Sequence, residues 1–539
     1  MPSPQPPLNL DAVVTAWRSR LSVDGSRALD ERTWVDLDCD DVFAEIDRTS
    51  STLGQAALYH RLRCAPAAPD LDAFEALVTR LTTDVPARER AQRALARLRD
   101  AHGYNVWWLG KPDSLAVQSW AVIFPILTVS ILILVVLTVV WHAVASVLIP
   151  VLGLGLMVRF VATRRIVELS QVVRQLAPII ATGERLASLD DEPFHAITGP
   201  LATDAPRLRL LKTVARWASE DPFILASGSS DALWMLSQPV NAIYELVNMV
   251  LQLDGNAIFF TQRDLAAHRG ALVRLTAAIG DVDAAISVAT WRSERDDWSR
   301  PQFLDPGSAL AISGACHPLI DEAVPNDIAL PASRGVIVTG SNMSGKSTFL
   351  RTVGVNIVLA QTIHTCLAAT YRAPLLDVQS CIGRSDDLLA GKSYYLVEVE
   401  QVIARLRASE ASAQHLFILD ELFRGTNAVE RIAAGEAVLR ELLVANGARR
   451  PHFVFAATHD AELVGMLEDL YSPFHFADRM SDEGLVFEYR LEPGPATTRN
   501  AIALLASRGA PASVVARALA STETIERQRN TSAVPNVRG

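Results

Sequence analysis

Cysteine is scarce in this chain. Five residues (Cys39, Cys64, Cys316, Cys366 and Cys381) are scattered over 539 positions, odd in number and without a C-x-x-C pair. This excludes a disulfide framework and a cysteine-based zinc site, and it suits a reducing compartment. The start, Met1-Pro-Ser-Pro-Gln-Pro-Pro7, has neither the basic nor the apolar region of a secretory signal. Lysine and arginine form no block or basic tail, and the net charge is −10. Overall charge therefore gives no help to a nucleic-acid partner and leaves only a local basic groove open. The sharpest absence is local: residues 114–158 contain no Asp, Glu, Lys or Arg.

That stretch is also apolar. Residues 120–140 are enough, at about 1.5 Å per residue, to cross a hydrocarbon core of roughly 30 Å. A second apolar run, residues 143–160, follows Trp141-His142. Two runs joined by so short a turn predict a transmembrane helical hairpin with both flanks on one side. Lys111 precedes the pair, and Arg159, Arg164 and Arg165 follow it. This bias puts both termini on the cytoplasmic face of a cell (inner) membrane crossed by two spans. Trp120 and Trp141 stand near span ends, where amphipathic rings favour the interface. The competing reading is a helical hairpin buried in a large soluble domain, which a charge-free run of this length disfavours.

The remainder divides by pattern. Residues 71–102, 164–189, 205–217, 231–253 and 264–291 have helical periodicity, so the region 34–291 reads as mainly α-helical. From Gly335 onward, apolar strands alternate with helices, which implies a mostly parallel α/β sheet. Residues 523–539 are polar and read as a disordered tail.

The chemistry concentrates in the α/β part. Gly340-Ser341-Asn342-Met343-Ser344-Gly345-Lys346-Ser347-Thr348 fits the phosphate-loop pattern G-x-x-x-x-G-K-[ST]. A β-branched run, Gly335-Val-Ile-Val-Thr339, precedes it, and a helical pattern follows. Glycines let successive N–H groups turn toward phosphate oxygens, and the helix N-terminus adds partial positive charge. Lys346 can reach the β- and γ-phosphates, and the Ser347 hydroxyl can ligate Mg²⁺. Downstream, His415-Leu-Phe-Ile-Leu-Asp420-Glu421 is an apolar strand ending in two carboxylates. Asp420 suits a metal held through its water shell, and Glu421 suits a general base. Phe453-Val-Phe-Ala-Ala-Thr458-His459 is a further strand with a histidine at its end, placed to sense a γ-phosphate.

With these elements in this order, the chain resembles the MutS family of mismatch-repair ATPases, a branch of the ABC-type ATPases. The phosphate loop resembles GPNMGGKST, with Ser341 for Pro and Ser344 for Gly. Ile382-Gly-Arg-Ser-Asp-Asp387 through Gly391-Lys-Ser393 resembles IGASDDLxxGxS. Asp420-Glu-Leu-Phe-Arg424-Gly425-Thr426 resembles DEIGRGT, and Thr458-His459 the terminal TH. His317-Pro318 and Val324-Pro-Asn326-Asp327 match the approach to the family's ATPase domain. Residues 36–54 resemble the LDxTxTxxG start of its helical core, and residues 279–289 its return helix.

The resemblance implies an ATP and Mg²⁺ site, with Glu421 and His459 catalytic, Asp420 and Ser347 on the metal, and residues 340–348 on the nucleotide. It places Asn326 near the adenine, with no stacking aromatic evident beside it. It implies a homodimer through the ATPase domains, in which Ser393 faces the γ-phosphate bound by the partner. A simple helix N-cap is the other reading of that serine. The implied layout is an extension (1–30), a helical core in two parts (31–113 and 163–300) interrupted by the hairpin (114–162), an ATPase domain (301–522) and a tail (523–539). On this implied layout the core would start too early to leave room for the family's mismatch-binding and connector domains. Phe43-Ala-Glu45 matches the family's Phe-x-Glu wedge but lies inside the core start, so it is not read as one. DNA binding is implied by the resemblance; a membrane-associated mechanical or scaffold ATPase without DNA is the alternative. An ABC transporter half fits less well, with only two spans and no LSGGQ-like signature.

Overall fold

The computed structural model describes residues 9–24, 28–99, 119–188, 195–209, 212, 247, 250–341, 344–382, 394–410, 413–444, 451–481, 484–496, 502, 505–506 and 509–532. Helices run α1 (Leu10–Asp24), α2 (Glu31–Asp36), α3 (Cys39–Ile46), α4 (Thr52–Arg63), α5 (Ala68–Thr83), α6 (Val85–Leu95), α7 (Ile123–Val140), α8 (Ala145–Ala187), α9 (His195–Arg207), α10 (Leu253–Ser293), α11 (Lys346–Ile363), α12 (Tyr394–Ser409), α13 (Ala428–Val444), α14 (Ala461–Met466) and α15 (Ala512–Ser532). Two compact units form: Met1–Arg27 with Ile46–Asp296, and Ala28–Glu45 with Asp297–Gly539.

The first unit is helical, as its periodicity implies. Its spine is α10, against which α4, α5, α8 and α9 pack. The crossing with α4 is close because small residues meet there. A Cβ at Gly280 would lie 2.8 Å from Ala57 Cβ and 2.9 Å from the Leu53 carbonyl oxygen. One turn on, the buried Asp283 carboxylate accepts bonds from Ser50 N (2.9 Å), Ser51 N (2.8 Å) and Ser51 Oγ (2.5 Å). Ser51 itself caps α4 by accepting from Gly54 N. Ser287 Oγ accepts from Arg48 N at 2.7 Å and donates to Ile46 O. Residues 46–54 and 279–289, far apart in the chain, are thus brought together. Farther along α10, the buried Arg292 guanidinium grips both oxygens of Glu75 at 3.0 and 2.7 Å.

The expected helix over 71–102 is broken in two, because Asp84 caps α6 through Ala87 N and Pro86 opens it. The expected helix over 231–253 lies mostly outside the described residues. The described residues of the charge-free region do not form the expected pair of membrane-length spans. Among the described residues, one helix, Ile123–Val140, is long and apolar enough to cross a membrane. The second run, His142–Val158, is shorter, and from Ala145 it forms the first part of the 43-residue α8, with Pro150 inside it. Phe124, Leu127 and Ile131 are buried, while Val139 is 78% and Phe160 83% exposed. Thr128 Oγ1 donates to Leu251 O and accepts from Asn256 Nδ2, which ties α7 to the start of α10.

The second unit carries the α/β sheet. Strands are β1 (Gln302–Phe303), β2 (Leu310–Ala315), β3 (Asn326–Leu330), β4 (Gly335–Thr339), β5 (Thr370–Ala373), β6 (Asp377–Cys381), β7 (His415–Asp420), β8 (Phe453–Ala457), β9 (Tyr471–Ser481) and β10 (Gly484–Pro493). The larger sheet has the order β10-β9-β4-β8-β7-β6. Its pairs are parallel except β9 with β10. Strands β4 and β8 are buried at every residue, as continuous apolar runs in a parallel sheet should be. A smaller sheet, β1-β5-β2-β3, stands beside it.

Residues 28–45 belong to this unit and not to the helical one, unlike the layout expected from the resemblance. Asp36 explains why: its buried carboxylate accepts from Ser380 Oγ (2.9 Å) and Ile382 N (2.7 Å) at the end of β6 and pairs with Arg32. Phe43 is fully buried, as a core residue and not a wedge would be. The chain also stays helical to Ser532 where a disordered tail from 523 was expected; Glu, Arg and Gln in that stretch favour the helix.

Burial pushes the Asp283 carboxyl up to about 7, against the Ser50 and Ser51 donors that hold it down. The native state then keeps a proton that an unfolded Asp, near pH 3.9, has lost. This group's contribution to stability therefore falls as pH rises from about 4 to about 7. Asp283→Asn should flatten that fall in the unfolding midpoint of the full chain. Asp283→Ala, which strands three buried donors, should cost about 3 kcal/mol. A midpoint unchanged in both variants would show that the contact contributes nothing.

Candidate active site

The phosphate loop is built at the C-terminal edge of β4. Gly340 (φ +140°) and Gly345 (φ +107°) adopt backbone that side-chain-bearing residues avoid. A Cβ at Gly340 would also crowd Ser344 Oγ at 2.9 Å and Phe476 O at 3.2 Å. Helix α11 begins directly after Gly345. Lys346 is buried, and its Nζ donates to the carbonyls of Gly340 (3.0 Å) and Ser341 (2.8 Å). The same Nζ stands 3.5 Å from His459 Nε2.

Ser347 Oγ donates to Asp420 Oδ2 at 2.5 Å. Burial holds the Asp420 carboxyl above its ordinary range, although the Ser347 bond opposes it. Among the described residues, Asp420 Oδ1 is buried with no hydrogen-bond partner. A divalent cation beside Ser347 and Asp420 would satisfy it, and a hydroxyl and carboxylate oxygen are donors that Mg²⁺ accepts. Among the described residues no group of three His, Cys, Asp or Glu could hold a metal by itself, so substrate phosphates and water would complete the shell.

Glu421 follows with φ +51°. Its Oε1 lies 2.7 Å from His459 Nε2 and its Oε2 2.6 Å from Arg424 Nη1. The His459 hydrogen bond holds the carboxyl below the ordinary glutamate range, with smaller help from the charges of His459, Arg424 and Lys346. Glu421 is therefore a carboxylate near neutral pH, able to accept a proton. Its N–H donates to Ala457 O, and Thr458 N donates to Val338 O, so the sheet register itself places these residues.

Lys346, Ser347, Asp420, Glu421 and His459 thus converge from three strand ends. Thr348 is exposed on the first turn of α11. Asn342, Met343 and Ser393 lie outside the described residues. Asn326 stands at the start of β3, and its amide is fully engaged. Nδ2 donates to the carbonyls of Val324 (3.1 Å) and Tyr489 (3.0 Å), and Oδ1 accepts from Leu491 N (2.7 Å). It pins β10 beside the loop. Two residues were not legible as site residues. Tyr489 (φ +53°, 46% exposed) brings its ring to 3.2 Å from where a Gly345 Cβ would stand. No local pattern announces it; the β9–β10 hairpin carries it there. Arg424 was visible only as part of a motif, and its pairing with Glu421 needed the turn.

Such a site on such a sheet defines a phosphate-loop nucleotide-binding domain of the α/β class. Residues 336–526 match the family model of MutS domain V. The chain is 34% identical over 292 residues to the DNA mismatch repair protein MutS of Thermus aquaticus, which covers 53% of this chain and 34% of that protein. It is 34% identical over 277 residues to MutS of Thermus thermophilus, covering 50% and 33%. It is 35% identical over 249 residues to DNA mismatch repair protein MutS 2 of Halobacterium salinarum, covering 45% and 28%. The match thus spans about a third of the length of these relatives. The similarity is thus to domain V of the MutS family over residues 336–526, and to MutS proteins over about half of this chain.

Proposed function

We propose that this chain is a membrane-anchored MutS-type ATPase that hydrolyses ATP to ADP and phosphate and works as a homodimer. The observation that carries the ATPase reading is the convergence of Lys346, the Ser347–Asp420 pair and the Glu421–His459 pair at one sheet edge. The loop amides and the α11 N-terminus receive the phosphates. Lys346 Nζ exchanges its bonds to the Gly340 and Ser341 carbonyls for β- and γ-phosphate oxygens. Ser347 and Asp420 would hold Mg²⁺, which when bound neutralises phosphate charge. Glu421 orients the attacking water and takes its proton as the bond from the γ-phosphorus to the β–γ bridging oxygen breaks. His459 holds Glu421 and donates toward the γ-phosphate. Tyr489 offers its exposed ring to the base. Ser393 of a second copy completes the site.

For the membrane, support comes from the exposed apolar side chains of α7 and early α8. The reading places both termini and the ATPase domain in the cytoplasm, with the 114–158 hairpin as anchor in the cell (inner) membrane. Nucleotide-driven rearrangement of the dimer would then move the helical core and its hairpins. A DNA-transaction role follows from what the MutS relatives are named for. The second reading, a mechanical or scaffold ATPase without DNA, is favoured by the net charge of −10.

Three outcomes test this. Glu421→Gln should retain ATP binding and lower turnover by about a hundredfold or more; unchanged turnover would remove the base assignment. The full chain should stay with membranes through alkaline carbonate extraction, and deletion of residues 114–158 should release it; extraction of the intact protein would sink the anchor. Anisotropy titrations with mismatched, branched and single-stranded DNA at two salt levels should show salt-sensitive binding. No binding at low salt would leave the scaffold reading.

A further inference from the structure

One contact reaches the turn that carries the proposed hydrolytic carboxylate from a helix outside that turn. The loop from Glu421 to Thr426, after β7, holds two residues with side chains in left-handed backbone, Glu421 (φ +51°) and Phe423 (φ +58°). A residue with a Cβ adopts that region only when its surroundings impose it. Helix α12 supplies such a constraint. Glu398, in its second turn, accepts a hydrogen bond through Oε1 from the main-chain N–H of Phe423. Tyr395, one turn earlier, has its Cβ 3.5 Å from where a Gly425 Cβ would stand, so α12 lies directly against the turn. The Phe423 ring is buried in a cluster that includes Val402 of α12 and Leu439 of α13. The turn is therefore held at its amide by a carboxylate and at its side chain by the core.

We propose that Glu398 is a positioning residue for hydrolysis. By holding the Phe423 amide it fixes the left-handed turn that aims the Glu421 carboxylate at His459. The position of α12 thereby sets whether Glu421 is in line for the attacking water. Glu398 touches no reacting atom and acts through the backbone. This rests on the ATPase reading above for its consequence, but not for the contact itself.

Two measurements on the full-length protein test it, and their failures are separable. The first is amide hydrogen exchange at Phe423. Glu398→Ala should speed it by about tenfold or more, whereas Glu398→Gln, which keeps an acceptor oxygen, should stay near the wild type. The second is ATP turnover set beside ATP affinity. Glu398→Ala should lower kcat by about ten- to a hundredfold, the scale of a small misplacement of a catalytic group, with ATP affinity within about twofold. Glu398→Gln should recover most of that loss. Unchanged Phe423 exchange in Glu398→Ala would overturn the proposal whatever the turnover. So would a parallel loss of ATP affinity and turnover, which marks a merely structural residue. If instead Glu421→Gln leaves turnover at the wild-type rate, the base assignment falls, and if the wild-type protein turns over no ATP, the ATPase reading falls; in either case the exchange result still decides the Glu398 contact.

Discussion

The parallel register of β4, β8 and β7 is the constraint on which the site depends. Val338 pairs with Ala457, and Ala457 in turn with Asp420. One hydrogen-bonded row therefore ends in the phosphate loop, the two carboxylates and the Thr458–His459 step. A one-residue slip in a strand would turn its side chains to the opposite face and separate Ser347 from Asp420. Burial of β4 and β8 on both faces makes such a slip expensive, because every residue would lose its packing. The chemistry is thus carried by residues at the sheet edge, while the apolar interior fixes their spacing.

The electrostatics of that edge follow from depth. Asp420 is deep enough for burial to raise its carboxyl, which suits a group awaiting a cation. Glu421, one residue on, is held low by His459 and Arg424 and so stays ionised. Adjacent carboxylates are thus pushed in opposite directions by their surroundings. The helical unit uses a buried carboxylate differently. Asp283 takes three donors from the turn before α4, and the close approach at Gly280 lets the helices come near enough for it.

Much of the candidate site was legible because its parts are local. A strand, a turn with glycines at Gly340 and Gly345, and a helix beginning at Lys346 form one continuous segment. Asp420 and Glu421 were equally plain, since an apolar run ending in two carboxylates is a local pattern. The helical unit was legible as periodicity, but the break at Asp84 and Pro86 turned on capping that a broad apolar pattern obscured. The charge-free run was legible as composition. That its second half merges into a 43-residue helix was not, because the apolar stretch ends where the helix does not. The grouping of residues 28–45 with the α/β unit was hidden because it rests on Asp36 meeting Ser380 and Ile382, 344 and 346 positions away.

The sequence by itself determined the phosphate loop, the carboxylate pair that serves it, the strand-end histidine and an apolar segment without charge. Each is written in neighbours along the chain, and backbone propensity or side-chain chemistry is enough to read it. Only the tertiary structure decided that Asn326 spends its amide on β10, that Tyr489 stands beside Gly345, and that Arg424, His459 and Glu398 hold the Glu421 turn. It also decided that Asp283 meets Ser50, 233 positions away. The physical reason is the same throughout: these are hydrogen bonds and close approaches between segments whose only relation is that packing of the apolar interior brings them within reach.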